Sequence, residues 1–443
     1  MRNNTVILIK NLAQRGLMHM FGANVFNKII SFSGTILLVR ILSKGEYGVY
    51  AYVQNILSFF LLLNGLGVVS GLLQYGSVYR NSPLMYAFFK YGLRRGVIAN
   101  IILAFGIGLF GLLFVKDSST SILFVIISFI PVFTIIYEIF QIYNLVLRNN
   151  KFYSLYTSLN TVLVMGGTVV GAYFLGVKGI FAFTYIALLG CIGAGMVYLK
   201  RGGWIWCDAR VVITKEEASE FNRFSLVSMF NNGVSFLVYI IDVFLIGVIT
   251  EDMNVLASYK TATLIPFALT FIPSTIMTFV YPYFANHQND KNWVRNHYMK
   301  LLKYCLGLNL CISLFLIFFS KLIVQICFGK EYLDCVSIFI VLAIGYFFTA
   351  SLRIPGGNVL ASLGKIKVNF YITVAMGLFN IIADVVLIYW MGSIGAAIST
   401  LSVFLLSGLV SNLYLYRYLL SKYTQINWGF NTRFNDAYAR EKS

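Results

Sequence analysis

Polar residues recur at helical spacing inside otherwise apolar sequence, and one of them is a lysine. Asn24, Asn27, Lys28, Ser31 and Thr35 fall three or four residues apart, which puts them on one helical face. Ser225, Ser228, Asn232, Ser235, Tyr239 and Asp242 repeat the pattern later in the chain. Tyr47, Tyr50, Gln54 and Ser58 give a third such face, and Thr263, Thr270, Ser274 and Thr278 a fourth. Hydroxyls, amides and an ammonium in such stripes suit the binding of a polar ligand that carries negative charge. The sequence has no G-x-x-x-x-G-K-[ST] loop, nucleophile elbow or His/Cys/carboxylate cluster, so no enzymatic step, metal or cofactor is expected. A gradient, of Na⁺, H⁺ or the ligand itself, is the expected energy source.

The elements that carry these faces are membrane spans. A hydrocarbon span takes about 20 mostly apolar residues, and this chain of 443 residues is 59% hydrophobic, 11% charged, with mean hydropathy +0.79. Spans are predicted at 19–40, 48–71, 92–115, 121–144, 156–176, 179–199, 224–248, 257–283, 299–320, 334–352, 367–390 and 394–418. Lys and Arg orient them, because cytoplasmic loops retain positive charge. With both termini inside, only Arg40, Lys44, Lys116, Lys178, Lys321 and Lys330 fall in outer loops. Every other Lys and Arg except Lys28 and Lys260 is then cytoplasmic. The net charge of +18 therefore follows from topology and from attraction to anionic lipid headgroups, and nucleic acid is not an expected partner. No cleavable signal peptide is expected, since Arg40 and a second span follow the first apolar segment.

Charges at bilayer depth single out particular positions. An ammonium near the middle of a span costs about 2.5–3.5 kcal/mol on insertion scales, so Lys28 is expected to face a watery cavity as an anion contact. Lys260 lies nearer the outer end of its span, where it can also snorkel. Glu138, Asp242 and Asp384 are acids within spans, each able to bind a coupling cation, carry a proton or neutralise a lysine; Glu138 is the better candidate for coupling or a gate, and a structural hydrogen-bonding role suits Asp242 and Asp384 equally well. Single Ser and Thr residues are also explained by close helix packing. Pro131, Pro266 and Pro273 can bend their helices.

The basic stretch 200–223 divides the spans six and six. The expected organisation is an amino-terminal six-helix lobe, 1–205, a cytoplasmic connection, 206–223, and a carboxy-terminal lobe, 224–443. Trp204 and Trp206 suit the membrane interface, and Thr214 with Glu217 forms a capping box. The halves echo each other in Gly48-Val49-Tyr50 against Ala257-Ser258-Tyr259, and in Gly176-Val177-Lys178-Gly179 against Gly392-Ser393-Ile394-Gly395. The fold class is an all-α polytopic membrane protein, about twelve transmembrane helices in two pseudo-repeated six-helix lobes around a central cavity. Cys327 and Cys335 flank one outer loop and could form a disulfide, although two ordinary small apolar residues is the simpler reading.

Several short motifs, in order and at matching spacing, resemble one family. They are Arg40-Ile41-Leu42-Ser43 with Glu46-Tyr47-Gly48; Asp242 with Leu245-Ile246-Gly247; Phe328-Gly329-Lys330-Glu331-Tyr332; Asn380 with Asp384; and Gly395-Ala396-Ala397. Over nearly its whole length the chain is similar to the polysaccharide transporters of the multidrug/oligosaccharidyl-lipid/polysaccharide exporter superfamily, in particular Wzx-like O-antigen and repeat-unit flippases. The resemblance implies a MATE-like fold in the bacterial cytoplasmic (inner) membrane. It also implies transfer of undecaprenyl-diphosphate-linked oligosaccharide to the outer leaflet, beside a polysaccharide polymerase and chain-length regulator. Cavity cations would meet the diphosphate, which points to Lys28, Lys260 and Arg353, with Asn24, Asn27, Ser31, Asn232, Tyr239 and Gln54 toward the sugar. A cation-coupled drug exporter would need acidic cavity charges instead. A lipid II flippase usually carries extra spans.

Overall fold

The computed structural model describes residues 17–80, 82–201 and 212–420, and for 17, 18, 20, 21, 201, 231, 232, 234, 235 and 237–239 it describes the backbone alone. Regular structure among the described residues is helical throughout. Twelve legs follow in order: α1 Leu17–Ile41, α2 Lys44–Val78, α3 Pro83–Phe114, α4 Ser118–Val146, α5 and α6 as the two parts of Asn150–Arg201, α7 Lys215–Thr250, α8 Met253–Asn286, α9 Lys291–Phe318, α10 Lys330–Ser362, α11 Ile366–Met391 and α12 Ser393–Leu420. The protein is a multi-pass membrane protein built as two six-helix lobes. The connection boundary expected at 205/206 lies outside the described residues.

The capping boxes start helices where the sequence places them. Ser43 accepts from the Glu46 N–H while Glu46 accepts from the Ser43 N–H, and Thr214 and Glu217 do the same for α7. The α5–α6 turn is forced by Gly176, whose φ of 59° and ψ of −145° lie in a region open essentially to glycine alone. The chain reverses there. A Cβ on Gly171 would sit 2.3 Å from the Gly179 carbonyl oxygen, whereas their separation along a straight helix would be about 12 Å. Farther down the hairpin, Tyr156 donates to the Cys191 carbonyl at 3.1 Å and Phe152 stacks on Tyr198. The α11–α12 hairpin repeats the device: Gly392 has φ 63° and ψ −144°, and a Cβ on Gly395 would meet the Leu387 carbonyl oxygen at 2.1 Å.

Three legs depart from simple spans. In α2, Gly65, Leu66 and Gly67 all have positive φ and break the helix after Leu63. In α8 the bend falls at Thr270, between Pro266 and Pro273. In α10 a π-helical turn, Thr349–Arg353, interrupts the leg. The sequence flagged only the prolines.

Packing decides the overall shape. One buried cluster crosses both lobes, joining Leu38, Tyr47 and Phe181 to Val243, Leu256 and Leu342. It lies at the end that carries Arg40, Gly176 and Gly392. At the opposite end the lobes have separate cores: Leu72, Phe88 and Tyr143 in the first, Met277, Val294 and Leu415 in the second, with Phe221 of α7 reaching across. The lobes therefore form a V, joined at one end and parted at the other along the α1 and α8 side.

Candidate functional site

The V encloses a cavity of about 1570 Å³, larger than the roughly 300–1,000 Å³ of ordinary small-molecule pockets. Its wall comes from three legs. Helix α1 supplies Asn24, Asn27, Lys28, Ser31, Phe32 and Thr35; α5 supplies Thr157 and Thr161; α8 supplies residues from Lys260 to Phe279. Among the described residues two ammonium groups face this space and no carboxylate does. The Lys28 Nζ sits 5.3 Å from the centre of the Phe271 ring, within cation–π range. The α1 stripe points inward because its other faces pack on the α5–α6 hairpin, where Gly34 meets Met165.

Six hydroxyls of this wall turn back on their own helices. Thr35 donates to the Ser31 carbonyl, Thr157 to Tyr153, Thr161 to Thr157, Thr263 to Lys260, Ser274 to Thr270 and Thr278 to Ser274, at 2.6–3.1 Å. Such back-bonds leave methyl groups and oxygen lone pairs facing the cavity. With Phe32, Phe267, Phe271 and Phe279 between them, the wall is less wet than the polar stripes imply.

The structure distributes the other candidate residues. Ser225 is fully buried where Gly67 and Gly71 of α2 close on it, so it is a packing residue. The side chains of Asn232, Ser235 and Tyr239 lie outside the described residues. Gln54 is exposed but outside the cavity wall, and Tyr47 is buried. Arg353 is also absent from the wall. It stands one layer behind, its guanidinium 5.4 Å from the Phe404 ring, which in turn packs on the wall residue Phe267. Thr157 and Thr161 escaped the sequence reading, although their spacing of four residues was the available signal. Cys327 and Cys335 are unbridged.

The three acids occupy two different places. Glu138 accepts from the Asn64 amide at 2.7 Å; Asn100 bonds Asn64 and the Pro131 carbonyl, and accepts from the Gly65 N–H. Glu138 thus holds the break in α2 rather than facing the cavity. Asp242 and Asp384 lie near each other in the second lobe, close enough for their charges to interact. Asp242 accepts from the hydroxyls of Tyr259, at 2.6 Å, and Thr400, and Asp384 accepts from Asn380 at 3.0 Å. One oxygen of each carboxylate is buried without a hydrogen-bond partner among the described residues. Adjacent buried carboxylates need a proton or cation between them, since two bare charges at contact repel strongly. Tyr259 precedes Lys260, so this acidic pair lies just behind the cavity wall.

A two-lobed, twelve-leg bundle with a central cavity is a fold this chain shares with solved structures of low sequence identity. The chain is similar to a lipid II flippase, MurJ, in an inward closed conformation, with 16% identity, TM-score 0.69, and coverage of 92% of this chain and 94% of that one. It is similar to an inward-facing MATE-family multidrug transporter, with 14% identity, TM-score 0.66 and coverage of 89% and 94%. A MOP-superfamily transporter from Pyrococcus furiosus, described as having a binding pocket of reverse polarity, gives 12% identity, TM-score 0.56 and coverage of 91% and 93%. No curated protein matches the chain. The polysaccharide biosynthesis protein family matches residues 37–337, and the chain belongs to that family.

Proposed function

We propose that this protein is a flippase that moves an undecaprenyl-diphosphate-linked oligosaccharide repeat unit, of O-antigen or capsule type, across the bacterial inner membrane. The observation that carries this reading is the cavity itself, with the ammonium groups of Lys28 and Lys260 and no lining acid among the described residues. The diphosphate is the costly group to take across hydrocarbon, and cations in a partly desolvated cleft attract it. The polyprenyl chain stays in the bilayer. Because the open end of the V is where the loops are basic, the positive-inside rule makes it cytoplasmic, with both termini on that side. The lobes, read as 1–205 and 224–443, would then rock to release the headgroup outside. The chain performs no bond chemistry and works beside a polysaccharide polymerase and chain-length regulator.

Asp242 and Asp384 are the proposed coupling site, for Na⁺ or H⁺, since their unpartnered oxygens accept either. A drug exporter of the same fold would place such acids in the wall; here they lie behind it. The test is deletion of the gene followed by chemical analysis of lipid-linked oligosaccharide on the cytoplasmic side. Accumulation of a complete repeat unit, reversed by the wild-type copy, supports the proposal. Unchanged lipid intermediates with altered drug resistance overturn it.

A further inference from the structure

The topology keeps only six basic residues at the closed end of the V, and three of them reach from the first lobe to the second. Arg40, the last basic residue of α1, donates Nε to the Cys327 carbonyl at 2.9 Å and Nη2 to the Ile326 carbonyl. Those carbonyls end a short helix, Ser320–Cys327, where the partial negative charge of a helix terminus favours a cation. Lys44, at the start of α2, bonds Asp334 at 2.6 Å and the Glu331 carbonyl at 3.2 Å, with its ammonium 5.5 Å from the Tyr332 ring. Ser258 of α8 donates to the same Asp334 oxygen at 2.8 Å, tying the 3₁₀ start of α10 to α8. Lys116 pairs more loosely with Glu251, at 3.7 Å and largely in solvent.

The charges are segregated by lobe: at these contacts every cation comes from the first and every acceptor from the second. Beneath them Gly48 lets α2 touch α8, since a Cβ there would stand 2.0 Å from the Met253 carbonyl oxygen. The contact among these is unevenly buried: the Lys44 side chain is 18% exposed and Asp334 54%. A half-buried pair that meets an apolar seam fits a contact made and broken repeatedly, because water re-solvates both partners when the seam parts.

We propose that Lys44 and Asp334, seated by Ser258 and flanked by Arg40, form an ionic latch that holds the end of the cavity opposite its mouth shut and must break for the lobes to open there. The latch rests on the transport reading for its purpose but not for its measurement, which needs no substrate. A reporter cysteine replaces Thr35 in the cavity wall of a chain whose native cysteines are serine, and a membrane-impermeant maleimide is added to intact cells. Lys44→Glu places like charge against Asp334. Labelling should rise about fivefold over the parent, the shift expected for losing one partly exposed ion pair. Asp334→Lys should do the same, and the double swap Lys44→Glu/Asp334→Lys should return labelling toward the parent value. Lys44→Arg should label like the parent, and a fluorescent carboxy-terminal tag checks that each variant reaches the membrane. Parental labelling in both single variants, or a double swap that labels as strongly as they do, overturns the latch. Restored gating without polysaccharide export would instead count against the flippase reading.

Discussion

Replacing Lys28 with alanine removes a charge and leaves the fold. The side chain is exposed to the cavity, packs on Phe271 by its ammonium alone, and has no acid partner among the described residues. Its value to an anion is set by distance and screening. Unit charges 4 Å apart attract by about 1 kcal/mol in bulk water and by about 4 kcal/mol at an effective dielectric of 20. A cavity open at one end lies between those limits, so alanine should weaken anion affinity between about fivefold and a thousandfold. Lys28→Arg should keep most function, and Phe271→Leu should lose only the cation–π part, about 0.5–1 kcal/mol. Surface polysaccharide is the readout, in cells lacking the chromosomal copy, at the lowest expression that sustains the wild type and normalised to protein in the membrane. Export by Lys28→Ala equal to wild type at that level would refute the role of the ammonium.

The acidic pair gives a second test. Asp384→Asn should remove the dependence of export on external Na⁺ or pH, while Asp242→Ala should also destabilise, because orphaning the Tyr259 and Thr400 hydroxyls costs about 1–3 kcal/mol each. Gly176→Ala should lower thermal stability in detergent by about 1–3 kcal/mol, the strain of holding a Cβ in that backbone region. Asp117 caps the first turn of α4 and is held down to about 2 by hydrogen bonds from Ser119 and Thr120. With its folded pKa below the unfolded value, it stabilises above about pH 4, and that contribution fades as pH falls toward 2. Asp117→Ala should therefore cost about 0.5–2 kcal/mol at pH 7 and little at pH 2, measured by unfolding in detergent.

Hydropathy and loop charge sufficed for the twelve legs because bilayer thickness imposes a length on every one of them. The Gly176 and Gly392 reversals were legible too, since only glycine fits a turn that tight. The α1 stripe was legible because an intramembrane lysine has few places to go. Gln54 and Ser225 lie off the cavity wall because helical periodicity gives a face but not its neighbour, and the π turn in α10 shifts the face beyond it. Arg353 illustrates this, displaced behind Phe404 by the π turn in which it sits. Glu138 drew attention by its charge, yet its partner Asn64 lies on another helix that no spacing rule connects to it.

Threonine and serine protons bent onto helix carbonyls make a surface that receives hydrogen bonds more readily than it gives them. A polyol brought into such a chamber finds lone pairs at many heights and of nearly equal strength, with aromatic rings between. It can slide without leaving one deep well for another. On the proposed reading, grip would reside in the charged end of the guest, and the identity of its rings would matter little to the passage.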